Sequence, residues 1–240
     1  MEIEIAVVVV AFAAVQSLFG VGVLVFGTPT LLLLGLSFDQ VLGYLLPCSI
    51  VISTLQVISG GGFRLEPIRK QFLLFTAPTV LIGTIVILTW GGKIDIRAVV
   101  GGMLVVTGTI RLLGPIRDRV FGLIRDRLPI FLAGLGLVHG ISNLGGGLLT
   151  LIVSSTFEDK NQIRKHVAFG YGLMASIQLG TLVVTGFPAL QLGLWMTLPV
   201  LAGMTYWSVG QWMFLRTRQA TYQLSLTGLL IAYGAVLLLT

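Results

Sequence analysis

Polar residues are scarce along this chain, and their few clusters divide it into eight apolar segments. The first covers about residues 3–36 and is interrupted near Gly20 to Gly22. The second covers about 40–58, and a polar loop at 60–70 follows. The third covers about 72–90, and a short loop at 91–97 leads to the fourth, about 98–113. Charge peaks between Arg111 and Arg127. The fifth segment, about 128–157, carries a second interruption inside 140–150. The sixth, seventh and eighth cover about 167–184, 192–215 and 224–239. A bilayer-spanning helix takes about 20 apolar residues, so the pattern predicts an all-α polytopic membrane protein.

The two interruptions resemble one another. Gly20-Val-Gly-Val-Leu-Val-Phe-Gly-Thr-Pro29 breaks the first segment, and Ser142-Asn143-Leu-Gly-Gly-Gly147 breaks the fifth. Laying Gly20 on Asn143 sets Gln16 on His139 and Gly22 on Gly145. A polar side chain then stands one helical turn before each break. Each glycine costs a helix about 1 kcal/mol relative to alanine, and in lipid the freed amides and carbonyls have no water to bond. Two half-helices meeting at such a break can turn their amide dipoles on an anion. The same glycines also suit close helix packing, and the two readings stay open.

The repeat divides the chain into 1–113, a linker at 114–127, and 128–240, which together form one membrane domain. Eight single crossings would split the basic residues almost evenly between the two sides, against the positive-inside bias. If the first and fifth segments are instead hairpins, thirteen basic residues from Arg64 to Arg218 fall inside and only Lys93 and Arg97 fall outside. Both termini are then outside. The halves become inverted-topology repeats, each a broken, hairpin-like first segment plus three transmembrane helices. Each hairpin leg is expected to be about 15 residues, or roughly 22 Å of helix, with the tips meeting near the membrane midplane.

Composition agrees with this class. Of the 240 residues 55% are hydrophobic and 10% charged, against about 25% charged in soluble domains. The net charge of +6 fits basic cytoplasmic loops and not nucleic-acid binding. Cys48 is the only cysteine, which excludes an intrachain disulfide. The first apolar segment lacks a preceding basic region, as expected of a mature segment and not a cleaved signal. No paired carboxylates, metal-binding pattern or phosphate-binding loop is present, so neither catalysis nor direct nucleotide drive is expected, and no metal or cofactor.

A glycine-rich break in the first segment, Pro29 soon after it, and a second copy midway resemble the TauE/SafE family of sulfite and organosulfur-anion transporters, which includes 4-toluene sulfonate uptake permease-like proteins. The first copy keeps Gly20, Gly22 and the proline. The second keeps Gly145, Gly146 and Gly147 but has Ile152 where the proline would stand. Residues 36–40 and 92–97 also resemble the family, and the likeness covers nearly the whole chain. It implies a secondary carrier of small sulfur-containing anions. Without a nucleotide-binding motif, movement is expected to be passive or coupled to a proton or other ion gradient, and the expected location is a prokaryotic cytoplasmic (inner) membrane.

The candidate substrate-binding residues are Gly20, Gly22, Thr28, Ser142, Asn143, Gly145, Gly146, Gln56 and Gln178. No lysine or arginine is available at mid-membrane, so helix N-termini, each equivalent to roughly half a positive charge, and unpaired amides must supply the positive potential. His139 is the candidate for proton coupling, with Gln16 as its counterpart in the first repeat; a neutral histidine bonding a backbone carbonyl is the plainer alternative. His166 reads as an interfacial residue. Gln56 and Gln178 serve equally as anion donors or as bonds between helices. Cys48 reads as packing, and Trp90, Trp195, Trp207 and Trp212 as interfacial anchors. The expected partners are a small anion and the lipid bilayer, with a homodimer left open. Other small anions such as carboxylates remain an alternative substrate, and a membrane scaffold with a basic cytoplasmic face remains an alternative function.

Overall fold

The computed structural model describes residues 2–90, 96–186, 188 and 192–239. Lys93 and Thr240, which the topology argument uses, lie outside the described residues. Among the described residues every regular element is helical. The first apolar segment is α1 (Glu2–Phe19) and α2 (Val23–Leu33), and the second is α3 (Phe38–Ser59). The third is α4 (Pro67–Gln71), which passes through a π-turn at Phe72–Thr76 into α5 (Ala77–Trp90). The fourth is α6 (Ile96–Leu112). The charged linker forms a helix of its own, α7 (Gly114–Asp126). The fifth is α8 (Leu128–Ser142) and α9 (Gly146–Thr156), and the sixth is α10 (Lys160–Thr185). The seventh is α11 (Leu192–Thr205), a π-turn at Tyr206–Gly210 and α12 (Gln211–Arg216), and the eighth is α13 (Gln219–Leu239). Among the described residues five stretches are long and apolar enough to cross a membrane: Glu2–Phe19, Phe38–Ser59, Pro67–Thr89, Lys160–Thr185 and Gln219–Leu239.

Several helix starts follow from local chemistry. Asp159 caps α10, its Oδ1 accepting from the amides of Asn161 and Gln162 at 3.0 and 3.1 Å. Pro67, Pro115 and Pro129 occupy first-turn positions of α4, α7 and α8, where a missing amide hydrogen does no harm. The 60–70 loop is therefore shorter than its polarity suggests, because Pro67 lets the helix begin early. Likewise α10 starts at Lys160, seven residues before the apolar run, because Asp159 supplies the cap.

Both broken segments fold back on themselves. The Phe12 and Phe26 rings lie 5.6 Å apart, and a Cβ on Gly22 would stand 2.4 Å from the Gln16 amide nitrogen, so α2 returns along α1. The legs are unequal: 18 and 15 residues in α1 and α8, and 11 in each of α2 and α9.

Packing pairs the elements across the chain. α3 lies antiparallel to α10, with Ser53 against Gly172 and Gly60 against Lys165. α6 packs on α13, and α8 on α5 and the π-turn before it. α1 packs on α11, the second π-turn and α12. Small residues bring the backbones together, as is common where lipid removes the hydrophobic drive. A Cβ on Gly136 would stand 2.5 Å from the Thr76 carbonyl oxygen, and one on Gly140 2.5 Å from that of Val80. At the other π-turn, a Cβ on Gly210 would stand 2.2 Å from Ser17 Cβ. Both π-turns thus face the first leg of a broken segment.

The basic loops collect at one end. Glu66 bonds Lys165 and reaches His166 Nε2 at 3.0 Å, and Lys160 donates to the carbonyls of Phe214 and Thr217. Phe19 at the end of α1 receives the Tyr222 hydroxyl, 3.3 Å away near the start of α13. Glu2 and Leu239 therefore lie toward the opposite end. His166, at this same end, is fully buried and stacks on Phe157 at 4.5 Å, because the early start of α10 carries it inside the bundle.

Two outcomes are expected. Gly140→Ala pushes a methyl into backbone that cannot yield and should destabilise the protein by about 1–3 kcal/mol. Gly134→Ala, in the same helix with open space beside it, should be neutral or stabilising by up to about 1 kcal/mol. Equal melting temperatures for the two variants in detergent would contradict the close-packing account. Glu66 is held below the usual carboxylate range, mainly by the hydrogen bond from Lys165 and further by the charges of His166, Lys165 and Arg69. A depressed folded-state pKa stabilises the protein above the unfolded value of about 4.3, and that stability is lost as pH falls through the folded value. Glu66→Gln should therefore lower the melting temperature at pH 7 and leave it nearly unchanged at the acid end of the range. A variant that melts with the parent at pH 7 would remove this latch from the account.

Candidate functional site

The first break is a left-handed turn. α1 ends at Phe19 and Gly20 has φ +82°, its amide bonding the Gln16 carbonyl at 2.7 Å. The second has the same form, but Asn143, not a glycine, takes the positive φ of 62°, and its amide bonds the His139 carbonyl at 2.7 Å. Asparagine is among the few side chains that tolerate this region. Of the glycine triplet only Gly145 lies outside the helix; Gly146 and Gly147 open α9. Gly146 is needed for close approach, since a Cβ there would stand 2.3 Å from Val25 Cγ2 and 3.2 Å from both Val21 Cγ1 and Tyr171 Cε2.

Matching polar contacts hold the two breaks. Gln16 Oε1 accepts from the Val23 amide at 3.2 Å, and His139 Nδ1 accepts from the Gly145 amide at 3.2 Å. Gln56 Nε2 donates to the carbonyls of Gln16 and Ser17 at 2.8 and 3.0 Å, and Gln178 Nε2 to that of His139 at 3.3 Å. Each first leg thus has carbonyls of its last turn bonded by a glutamine from α3 or α10. Farther along the second legs, the Tyr233 hydroxyl donates to the Phe26 carbonyl at 2.6 Å and contacts Thr30 Oγ1. Arg111 Nη1 reaches the Thr150 carbonyl at 3.4 Å and Ser154 Oγ at 3.3 Å.

The tips overlap and do not meet head to head. Gly20 lies against Val167, whereas the His139 carbonyl lies at Gln178, about 16 Å farther along α10. What meets between them is the starts of the half-helices α2 and α9, near Tyr171 at the middle of α10. Asn143 Nδ2 donates to Thr28 Oγ1 at 2.8 Å. Gln16, Thr28, His139 and Asn143 are fully buried, and Ser142 nearly so. The Ser142 hydroxyl is engaged locally, donating to the Val138 carbonyl and accepting from the Leu144 amide.

Tyr171 carries no motif that flags it in the sequence, yet it joins the two breaks. It is fully buried, its oxygen accepts from the Val25 amide at 2.9 Å, and the amides of Gly22 and Leu24 also turn toward it. Its ring stands edge-on to His139 at 5.8 Å. The α2 amides are thus largely occupied by Gln16 and Tyr171. The amides of Gly146, Gly147 and Leu148 precede the first intrahelical bond of α9, from Leu149 to the Gly145 carbonyl. Beside them, Asn143 Oδ1 is buried with no partner, as is Gln56 Oε1 nearer the helix end; His139 Nε2 and Gln178 Oε1 make no close hydrogen bond, but the Gln178 side chain faces the His139 ring. Because His139 Nδ1 accepts a hydrogen bond, the neutral ring carries its proton on Nε2.

A cation does approach the first break, from the basic end of the molecule. Arg164, in the first turns of α10, is nearly buried, donates to the Ser17 carbonyl at 3.2 Å and to Gln211 Oε1 at 3.0 Å, and sits 3.4 Å over the Phe214 ring. Arg111, read in sequence as part of the charged loop, is also buried. Both were hidden by position: each sits at a helix end next to a charged stretch, and the fold turns it inward. Cys48 is a packing residue, buried with its thiol on the Tyr44 carbonyl. Trp195 donates to the Gly43 carbonyl, and Trp207 and Trp212 are exposed. No group of residues suited to a metal ion occurs among the described residues.

No curated protein and no solved structure matches the chain. A family model described as the sulfite exporter TauE/SafE matches residues 5–237, a stretch that includes both breaks and the apolar helices around them. That family consists of membrane anion transporters and not of enzymes, and this integral membrane chain belongs to it, the TauE/SafE sulfite exporters.

Proposed function

We propose that the protein is a secondary carrier of a small sulfur-containing anion, sulfite or an organosulfonate, bound where the starts of α2 and α9 overlap. The observation that carries this reading is the buried polar cluster there: first-turn amides of α9 beside Asn143 Oδ1, which has no partner, and His139 Nε2, which makes no close hydrogen bond, in an apolar interior. A helix N-terminus favours negative charge. The Nε2 hydrogen of His139 and, after a flip of its amide, Asn143 add directed donors. The cluster is closed to solvent, so an anion enters and leaves only as surrounding helices part. The Tyr171 hydroxyl holds the α2 amides meanwhile and competes with an oxyanion for them.

On the same reading the halves at 1–113 and 128–240 are inverted copies joined by α7. The matching contacts of Gln16 with His139, Gln56 with Gln178 and Tyr233 with Arg111 support that relation, and so does the exchange in which α1 packs on α11 and α8 on α5. With the arginine-rich end cytoplasmic, both termini are outside. His139 carries the coupling proton, and Gln16, which does not titrate, is its neutral counterpart.

Transport by the purified protein in liposomes, across sulfite, sulfonates, thiosulfate and short carboxylates, tests the substrate; movement of none of them defeats the assignment. Asn143→Gly keeps the left-handed backbone and deletes the side chain. Losing one hydrogen bond to a charged ligand costs about 1.5–3 kcal/mol, so this variant should bind the anion roughly ten- to a hundredfold more weakly while still folding. Gly146→Ala should also impair binding, by separating α9 from Val25. Parental transport by both variants would move the anion away from the breaks. His139→Ala should flatten the pH dependence of transport, and an unchanged profile would take the coupling role from His139.

A further inference from the structure

At the basic end a cavity of 620 Å³ opens between α6, α7, the end of α9 and the start of α13. Arg111 belongs to its lining and is only 9% exposed. Its Nε donates to Thr227 Oγ1 at 3.2 Å, Nη1 to Ser154 Oγ and the Thr150 carbonyl, and Nη2 to Gln223 Oε1 at 2.5 Å. All four acceptors are neutral. Among the described residues no carboxylate forms an ion pair with Arg111; the nearby Asp118 pairs with Arg117 at 3.0 Å. A buried guanidinium without a counter-charge is unfavourable, and this one borders an open cavity that a soluble anion can reach.

Packing does not require the charge. At the matching place in the other half, Tyr233 holds α2 by the same pair of contacts, one carbonyl and one hydroxyl a turn apart, with a neutral phenol. The cavity also carries Arg117 and Arg125 against Asp118 and Glu158, so three positive charges less two negative leave one in excess. The path inward is short: Thr150, whose carbonyl Arg111 contacts, bonds the Gly147 carbonyl through its hydroxyl at 2.7 Å, in the first turn of α9.

We propose that this cavity is a second oxyanion site, in which the Arg111 guanidinium is the fixed counter-charge and a small anion rests on the basic face before passing to the breaks. Its place on the route rests on the carrier reading; the binding itself does not. A planar guanidinium suits the oxygens of a sulfite, sulfonate or phosphate group, and the volume leaves room for an organic substituent. A phospholipid headgroup offers the same chemistry, so the test must separate the two sources.

Sulfite and sulfate binding to the full chain in uncharged detergent should reveal two classes of site. Arg111→Gln should weaken one class about ten- to a hundredfold and leave the other, while Asn143→Gly does the reverse. Arg125→Glu, on an exposed side chain at the rim, should weaken the same class as Arg111→Gln severalfold, which guards against misfolding of the buried variant. Absence from the parent of any class that both arginine variants weaken overturns the proposal. Loss of the cavity class in phosphatidylglycerol vesicles but not in phosphatidylcholine vesicles would assign the cavity to an anionic lipid headgroup and overturn the free-anion site. If the class sensitive to Asn143→Gly is missing while the cavity class persists, the carrier site fails and this one stands.

Discussion

An unbonded amide or carbonyl inside a bilayer costs several kcal/mol, and two interrupted helices create many of them at once. A set of buried polar side chains answers that constraint. Gln56, Gln178 and Arg164 bond carbonyls where α1 and α8 end. Gln16, Tyr171 and His139 bond amides where α2 and α9 begin. The glutamines within these apolar helices thus serve the breaks, and they stand where the chain departs from continuous helix.

The two ends of this capping scheme are not equal. The start of α2 is held by a glutamine oxygen and a tyrosine oxygen. The start of α9 has a histidine nitrogen on Gly145, with Asn143 Oδ1 left unpaired and His139 Nε2 without a close hydrogen bond beside it. The same imbalance recurs one level out, where a neutral Tyr233 holds α2 and a charged Arg111 holds α9. On the carrier reading the first half supplies a mostly self-satisfied scaffold and the second half carries the polar surplus available to an anion. Close packing supports both. Gly136 and Gly140 let α8 lie on α5 and Gly146 lets α9 reach Val25, so the surplus stays dry, where dipoles act strongly.

How much was legible in the sequence follows from the range of the interactions concerned. Apolar periodicity and polar interruptions are local, so the segments, both breaks and the alignment of Gln16 with His139 could be read directly. The resemblance to TauE/SafE came from the same short motifs. Local signals misled where a cap or a proline acts across a composition boundary. Asp159 starts α10 seven residues early and carries His166 inward, and Pro67 shortens the loop before α4. The glycine triplet attracted attention as the break, although Asn143 makes the turn and two of the glycines serve packing.

The sequence by itself determined that the chain is a helical membrane protein with two related interruptions, because burial in lipid imposes apolar runs of fixed length and punishes every exception. Only the tertiary structure decided what stands at those interruptions. Tyr171 lies 146 residues from the Val25 amide it bonds, and Arg164 lies 147 from the Ser17 carbonyl. Such contacts leave no periodic trace, since a single buried side chain is positioned by the packing of α10 against α3 and not by its neighbours in sequence. The overlap of the half-helix starts, the charge beside them and the cavity beneath Arg111 all depend on that packing.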